Sequence, residues 1–196
     1  TKVVAITVEY SATATKCDEV VIIRPGTDPA LALGVAQQLI ALKLFDADWV
    51  AKNTDLPFLV RLDTLQPLRP EDCLAGYKDE RPKNLDFLAP GQKPPPVAVQ
   101  QRQSVPEAMA ADFRPHLVWD KKKNALAVVT RDDVGPAYKK KSLDADLRAA
   151  KKVKLLDGTE VEVRTSFSLL AEYLDQNLTP AQAAQVTGAP AAAITG

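Results

Sequence analysis

Two short segments carry residue types whose order could do chemistry: Thr7-Val8-Glu9-Tyr10-Ser11 and Arg24-Pro25-Gly26-Thr27-Asp28. The first offers hydroxyls and a carboxylate in close succession. In the second, a Pro-Gly turn runs into a helix start, with Asp28 suited to the N-cap and Pro29 to the first helical position. Backbone amides at Gly26 to Asp28 could receive an anion, as helix N-termini do. The carboxylate of Asp28 opposes that use, because it repels phosphate at the same place. Its two oxygens suit a base edge with adjacent N–H donors, guanine being one, while still capping the helix. Glu9 matches the acidic residue that holds ribose hydroxyls in dinucleotide folds. An ordinary reading stands beside this one. Asp-Pro caps are common, and a Glu or Ser at a strand end usually meets only water. On the residues alone both readings stay open.

The elements that must position these segments are readable from periodicity. Residues 3 to 9 form an apolar strand, and Val20-Val21-Ile22-Ile23 a second, short and β-branched, in the manner of a central parallel strand. A helix from 29 to about 44 follows, with Leu31, Val35, Leu39 and Leu42 as its stripe. Ala32, Leu33, Ala36 and Ile40 extend the apolar surface, which predicts a helix buried between layers. A short helix starts at Asp46 or Asp48 and ends near Asn53. Strand, loop, strand, turn and helix fit an open parallel sheet, whose ligands sit beyond the carboxyl ends of the strands.

Ten of the 15 prolines then fall between Pro57 and Pro115, including Pro94-Pro95-Pro96. Such a stretch resists long helices and central strands. A disordered linker is one reading; Leu85, Phe87, Leu88, Val97 and Val99 favour the other, extended chain docked on a surface. Leu117 to Asp120 and Ala125 to Val129 make a hairpin around Lys121-Lys122-Lys123-Asn124. A second hairpin pairs Val153 to Leu156 with Thr159 to Val163 through a type I′ turn at Asp157-Gly158. An amphipathic helix covers 166 to 176, and a last helix starts at Thr179-Pro180. The expected fold class is α/β: a Rossmann-like parallel sheet with flanking helices, plus a proline-rich insertion and small β-hairpins. The expected divisions are a partial cofactor-binding domain at 1–62, an insertion at 63–116, a hairpin region at 117–165, and a helical pair at 166–196 returning to the first domain.

Composition narrows the function. The 25 basic and 25 acidic residues cancel within 196, so no overall field recruits nucleic acid or an anionic membrane. The runs at Lys121 to Lys123 and Lys139 to Lys141 read as solvated faces. No apolar run approaches the ~20 residues of a membrane-spanning helix. Cys17 and Cys73 have neither disulfide nor metal spacing and read as small core residues. His116 reads as structural, and Trp49 and Trp119 as packing anchors. The chain begins without Met almost inside a strand, which predicts a segment of a longer polypeptide.

The order Ile6-Thr7-Val8-Glu9-Tyr10-Ser11, Thr15-Lys16-Cys17-Asp18-Glu19 and Ile23 to Asp28, followed by Ala30-Leu31-Ala32-Leu33-Gly34, resembles the molybdopterin oxidoreductases, the dimethyl sulfoxide reductase family. Many members carry Asp-Pro-Arg where this chain has Thr7-Val8-Glu9. That departure resembles the branch of nitrate reductase and nitrite oxidoreductase catalytic subunits, which includes perchlorate, selenate and ethylbenzene enzymes. Asn53-Thr54-Asp55-Leu56-Pro57 is similar to that branch's Thr-Asp-(Leu/Met)-Pro stretch, and Leu178 to Pro190 to the family's helix pair. The resemblance implies a molybdenum bis(molybdopterin guanine dinucleotide) cofactor, with Thr7, Val8, Glu9, Tyr10, Ser11, Gly26, Thr27 and Asp28 contacting one dinucleotide arm and Asp28 at the guanine. It implies that the parent interconverts nitrite and nitrate, or reduces a related oxyanion, passing electrons through iron–sulfur clusters whose ligands lie outside this chain. No catalytic or metal-binding residue is expected here. Implied partners are an iron–sulfur beta subunit plus a haem or membrane-anchor subunit, in a membrane-associated complex on the cytoplasmic or periplasmic face. Two rival classes are a non-catalytic scaffold subunit that has lost molybdenum, and a free-standing mononucleotide-binding domain.

Overall fold

The structure is a computed structural model and describes residues 1–78, 114–130, 133 and 136–195. The expected docked segment with Leu85, Phe87, Leu88, Val97 and Val99 lies outside the described residues. The chain divides into two compact units, Thr1–Ala47 with Ser168–Gly196, and Asp48–Phe167.

In the first unit, β1 (Val4–Thr7) and β2 (Glu19–Ile22) pair in parallel, with Val4 opposite Glu19 and Thr7 opposite Ile22. A single 3₁₀ turn, Ala14–Lys16, lies on the path between them. β2 leads through a turn into α1 (Asp28–Ala41). Three further helices, α5 (Ser166–Asn177), α6 (Pro180–Thr187) and α7 (Ala192–Thr195), close the chain. α6 starts as its sequence requires. Thr179 caps it, the amide of Thr179 donates to Gln182 Oε1 at 3.0 Å, and Pro180 takes the first turn. It ends at Gly188, whose φ of 77° is the left-handed stop that glycine allows. Val21, Ile23 and Leu31 pack with Ala183, Ala189 and Ile194 to form this unit's core.

α1 differs from expectation in two ways. Thr27, not Asp28, is its N-cap; Asp28 is the first helical residue and Pro29 the second. Its burial is one-sided: Leu31, Gly34 and Gln37 are buried, while Leu33, Val35 and Leu39 stay exposed. The reason is geometric. Residues at spacings of three face α6 and α7, and the opposite stripe has no layer over it among the described residues. Buried Gln37 is satisfied, donating to Asp175 Oδ1 at 2.9 Å.

The second unit is antiparallel. β3 (Leu59–Arg61), β7 (Glu160–Thr165) and β6 (Ala150–Lys154) form one sheet in the order β3-β7-β6, and β4 (His116–Asp120) pairs with β5 (Ala125–Val129) in another. Short helices α2 (Ala47–Asn53), α3 (Pro70–Cys73) and α4 (Pro136–Lys141) complete it apart from the first residue of α2. Alternation along β7 is strict: Val161, Val163 and Thr165 are buried, with Glu160 and Glu162 exposed. The open edge of β6 carries Lys151, Lys152 and Lys154, charges that discourage strand addition. The β6–β7 connection is not the expected type I′ turn. The amide of Gly158 donates to Leu155 O, and only Gly158, not Asp157, has positive φ. Asp157 Oδ1 accepts the Thr159 amide at 2.8 Å, which favours a type I turn followed by a left-handed glycine. The fold is thus mixed α/β with several small sheets, and its parallel part among the described residues is the β1–β2 pair.

His116 lies inside the second unit. Its ring stacks on Phe58 at 4.2 Å between centroids, Nε2 lies 3.0 Å from an Arg69 nitrogen, and Nδ1 is buried without a partner. Burial, then the nearby charge of Arg69, pushes its pKa down to about 4. The folded state holds this ring neutral while the unfolded chain binds a proton near pH 6.5. The contribution is therefore present above pH 6.5 and lost as pH falls from 6.5 towards 4. Discounted for partial solvent screening, it amounts to about 1–2 kcal/mol. Urea denaturation between pH 7 and 4.5 should show this loss in the wild-type chain and a flatter profile in His116→Phe.

Candidate functional site

The two segments with chemical potential leave the sheet at the same end. Because β1 and β2 are parallel, Thr7 and Ile22 are paired last residues, and the Ile23 amide donates to Thr7 O at 2.9 Å. Each segment is then shaped by its own hydroxyls. Thr7 Oγ1 donates to Glu9 O at 3.0 Å and accepts the Glu9 amide at 3.4 Å, turning the chain directly after β1. The Ser11 amide bonds Glu9 O at 3.0 Å, and Ser11 Oγ accepts the Ala14 amide at 3.4 Å. Ser11 and Thr7 therefore hold their own loop. Val8, Glu9 and Tyr10 are exposed, Tyr10 at 68%.

The second segment is a tight turn. The Thr27 amide and hydroxyl both donate to Arg24 O, at 3.2 and 2.7 Å. Gly26 has φ 76°, the conformation glycine adopts at least cost. A side chain there would meet nothing within 4 Å, so its requirement is conformational and the space beside it is open. Thr27 O accepts the amides of Ala30 and Leu31 and so starts α1. Asp28 stands exposed at the first position of that helix, where the macrodipole favours a negative charge. Its carboxylate has no hydrogen-bond or ion-pair partner among the described residues, so both oxygens are available to a ligand. Thr27 takes the N-cap position that the sequence assigns to Asp28, and its side chain makes no cap bond there.

Thr7, Val8, Glu9, Tyr10 and Ser11 are thus brought to the same sheet end as Gly26, Thr27 and Asp28. Sequence reasoning missed the duty of Arg24. The signal for it is Thr187-Gly188-Ala189-Pro190, a glycine and proline placed as a helix stop, whose last carbonyls need a partner. Arg24 is that partner: its guanidinium donates to Gln185 O at 2.6 Å and Val186 O at 2.9 Å, and its amide to Thr187 O at 2.7 Å.

A cavity of about 230 Å³ lies elsewhere, in the second unit, walled by Thr54, Asp55, Phe58, Val118 and Tyr138 among others. Its lining is mostly apolar, and among the described residues no group of three His, Cys, Asp or Glu could hold a metal. Cys73 is a poor ligand or nucleophile, since burial and then Asp72 and Glu71 push its thiol up to about 11. Among the described residues no helix is long and apolar enough to cross a membrane.

No family model matches the chain. It is 33% identical over 210 aligned residues to the alpha subunit of perchlorate reductase from Dechloromonas aromatica, an alignment covering 100% of this chain and 20% of that relative. With a sulfite dehydrogenase subunit from Allochromatium vinosum it is 34% identical over 182 residues, 93% of the chain and 14% of the relative. With the alpha subunit of respiratory nitrate reductase from Haloferax mediterranei it is 44% identical over 84 residues, 42% of the chain and 8% of the relative. The chain therefore spans a fifth or less of the length of these curated relatives.

The seat for these segments depends on how closely α1 lies on α6. A side chain at Gly34 would put its Cβ 2.6 Å from Ala183 Cβ. Gly34→Leu should cost about 2 kcal/mol or more through overpacking. Gly34→Ala should cost less, since helix propensity returns about 1 kcal/mol. Thermal melts of the two variants check this order; a Gly34→Leu chain as stable as wild type would contradict the close approach.

Proposed function

Because the chain belongs to the molybdopterin oxidoreductases, the dimethyl sulfoxide reductase family, we propose that it seats one molybdopterin guanine dinucleotide arm of a molybdenum cofactor. The observation that carries this reading is the free carboxylate of Asp28, placed where the parallel strands β1 and β2 end. Two acceptor oxygens match the adjacent N–H donors of a guanine edge, and among the described residues no cation pairs with that carboxylate. Glu9 and Tyr10, exposed beside it, are the groups for the sugar hydroxyls. Thr7, Thr27 and Ser11 act one step back, holding the two loops in shape through their hydroxyls. Val8 offers an apolar contact, and Gly26 keeps the turn low enough for a ligand to approach.

When bound, the cofactor supplies oxygen-atom transfer coupled to the movement of two electrons; the protein supplies orientation and surroundings. This chain's part is to bind and orient. It contributes the base contact and the loop geometry, and reacting groups belong to other parts of the parent. We assign the parent the interconversion of nitrite and nitrate, or reduction of a related oxyanion. Its partners in this reading are an iron–sulfur beta subunit plus a haem or membrane-anchor subunit, with iron–sulfur clusters for the electron relay. Support for that substrate class comes from Thr7-Val8-Glu9 and from Thr54-Asp55-Leu56-Pro57, together with relatives named as nitrate, perchlorate and sulfite enzymes.

Metal analysis of the purified parent should find molybdenum or tungsten bound in proportion to protein. Asp28→Ala should lower cofactor retention about tenfold, the scale of a hydrogen bond to a charged group. A parent without either metal would sink the enzyme reading and leave a scaffold subunit.

A further inference from the structure

We infer that Arg24 is a positioning residue for this seat, acting through the carbonyl end of α6; the inference rests on the proposed role of Asp28. Arg24 touches two structures at once. On one side its guanidinium and its amide take the carbonyls of Gln185, Val186 and Thr187. On the other side its own carbonyl accepts both the amide and the hydroxyl of Thr27. Thr27 O in turn starts α1 by accepting Ala30 and Leu31, and Asp28 is the first residue of that helix. A hydrogen-bonded line thus runs from the end of α6 through Arg24 to Thr27, whose chain neighbour Asp28 carries the free carboxylate.

The α6 end of that line is fixed. Thr187 is fully buried, and its hydroxyl donates to Ala183 O at 2.8 Å while accepting the Ala189 amide at 3.1 Å. Ala183 is itself fully buried against α1 at Gly34. The arginine side chain lies across Gly188, with Cγ and Nε 3.6 Å from where a Cβ would stand. The guanidinium's positive charge faces the negative end of the α6 dipole, an arrangement favoured within the last helical turn. Both side-chain bonds leave from one terminal nitrogen of the guanidinium, which grips two successive carbonyls. Arg24 therefore sets where Asp28 stands.

A clamp of this kind couples the seat to the end of α6: filling the seat steadies residues 185–189, and releasing the clamp loosens the seat. The test uses the full parent protein, loaded with its molybdenum cofactor and freed of it. Amide hydrogen exchange in the wild type should slow at residues 185–189 on loading. Arg24→Gln should erase that difference and speed cofactor loss about tenfold at an unchanged unfolding midpoint, with Arg24→Lys recovering most of the retention. Three results overturn the inference: exchange at 185–189 indifferent to loading, cofactor loss in Arg24→Gln equal to wild type, or loss that merely follows a fall in the unfolding midpoint. Asp28→Ala separates the two levels. If it weakens retention while Arg24→Gln does not, the clamp alone is wrong; if it leaves retention unchanged, the base-recognition reading fails with it.

Discussion

The bond network between Arg24 and the last carbonyls of α6 is the constraint on which the position of the turn after β2 depends. A helix end leaves four carbonyls without intrahelical partners, and a glycine stop satisfies only some of them. Here Gly188 donates to Ala184 O at 2.8 Å, and Arg24 takes three of the carbonyls that follow. That choice ties the end of β2 to an element from the far end of the chain. The turn after β2 is consequently held at both sides, by the sheet through Ile23 and Thr7 and by α6 through Arg24. In the proposed reading the contact at Asp28 gains precision from that double anchorage, because loops held at one side alone sample more positions.

Close packing of α1 on α6 supports the same end. Small residues at the contact, Gly34 and Ala183, let the two backbones approach, and Leu31 and Ile194 fill the space around them. The cost appears on the other face of α1, where Leu33, Val35, Leu39 and Leu42 remain exposed, as do Val4, Ile6 and Ile22 on the strands. This pattern suits a chain that covers a fifth or less of the length of its curated relatives. The second unit needs less support. Its β7 strand alternates cleanly, its β6 edge is guarded by lysines, and its histidine is held neutral by burial and by Arg69.

Local signals explain what could be read from the sequence. Both strands of the parallel pair, the Thr179-Pro180 helix start and the β4–β5 hairpin follow from periodicity, capping and turn chemistry within a few residues. The turn at Gly26 to Asp28 was legible as a helix start, but the cap fell to Thr27, because its carbonyl rather than its side chain begins α1. The same local chemistry misjudged the turn at Asp157-Gly158, where an Asx bond to Thr159 competes with the type I′ geometry. One-sided burial of α1 was not legible, since an all-round apolar helix does not say how many layers cover it. Nor was the task of Arg24, whose carbonyl partners lie 161 and 162 residues away and are defined only once α6 has docked.

The occupant we propose for the seat rests on membership of the family and on the unpaired carboxylate of Asp28. An experimental structure of the parent protein with its molybdenum cofactor bound tests this most directly. The account predicts the guanine of one dinucleotide arm within hydrogen-bonding distance, about 3 Å, of the Asp28 carboxylate, beyond the paired ends of β1 and β2. A guanine seated elsewhere, with Asp28 still facing water, would contradict it.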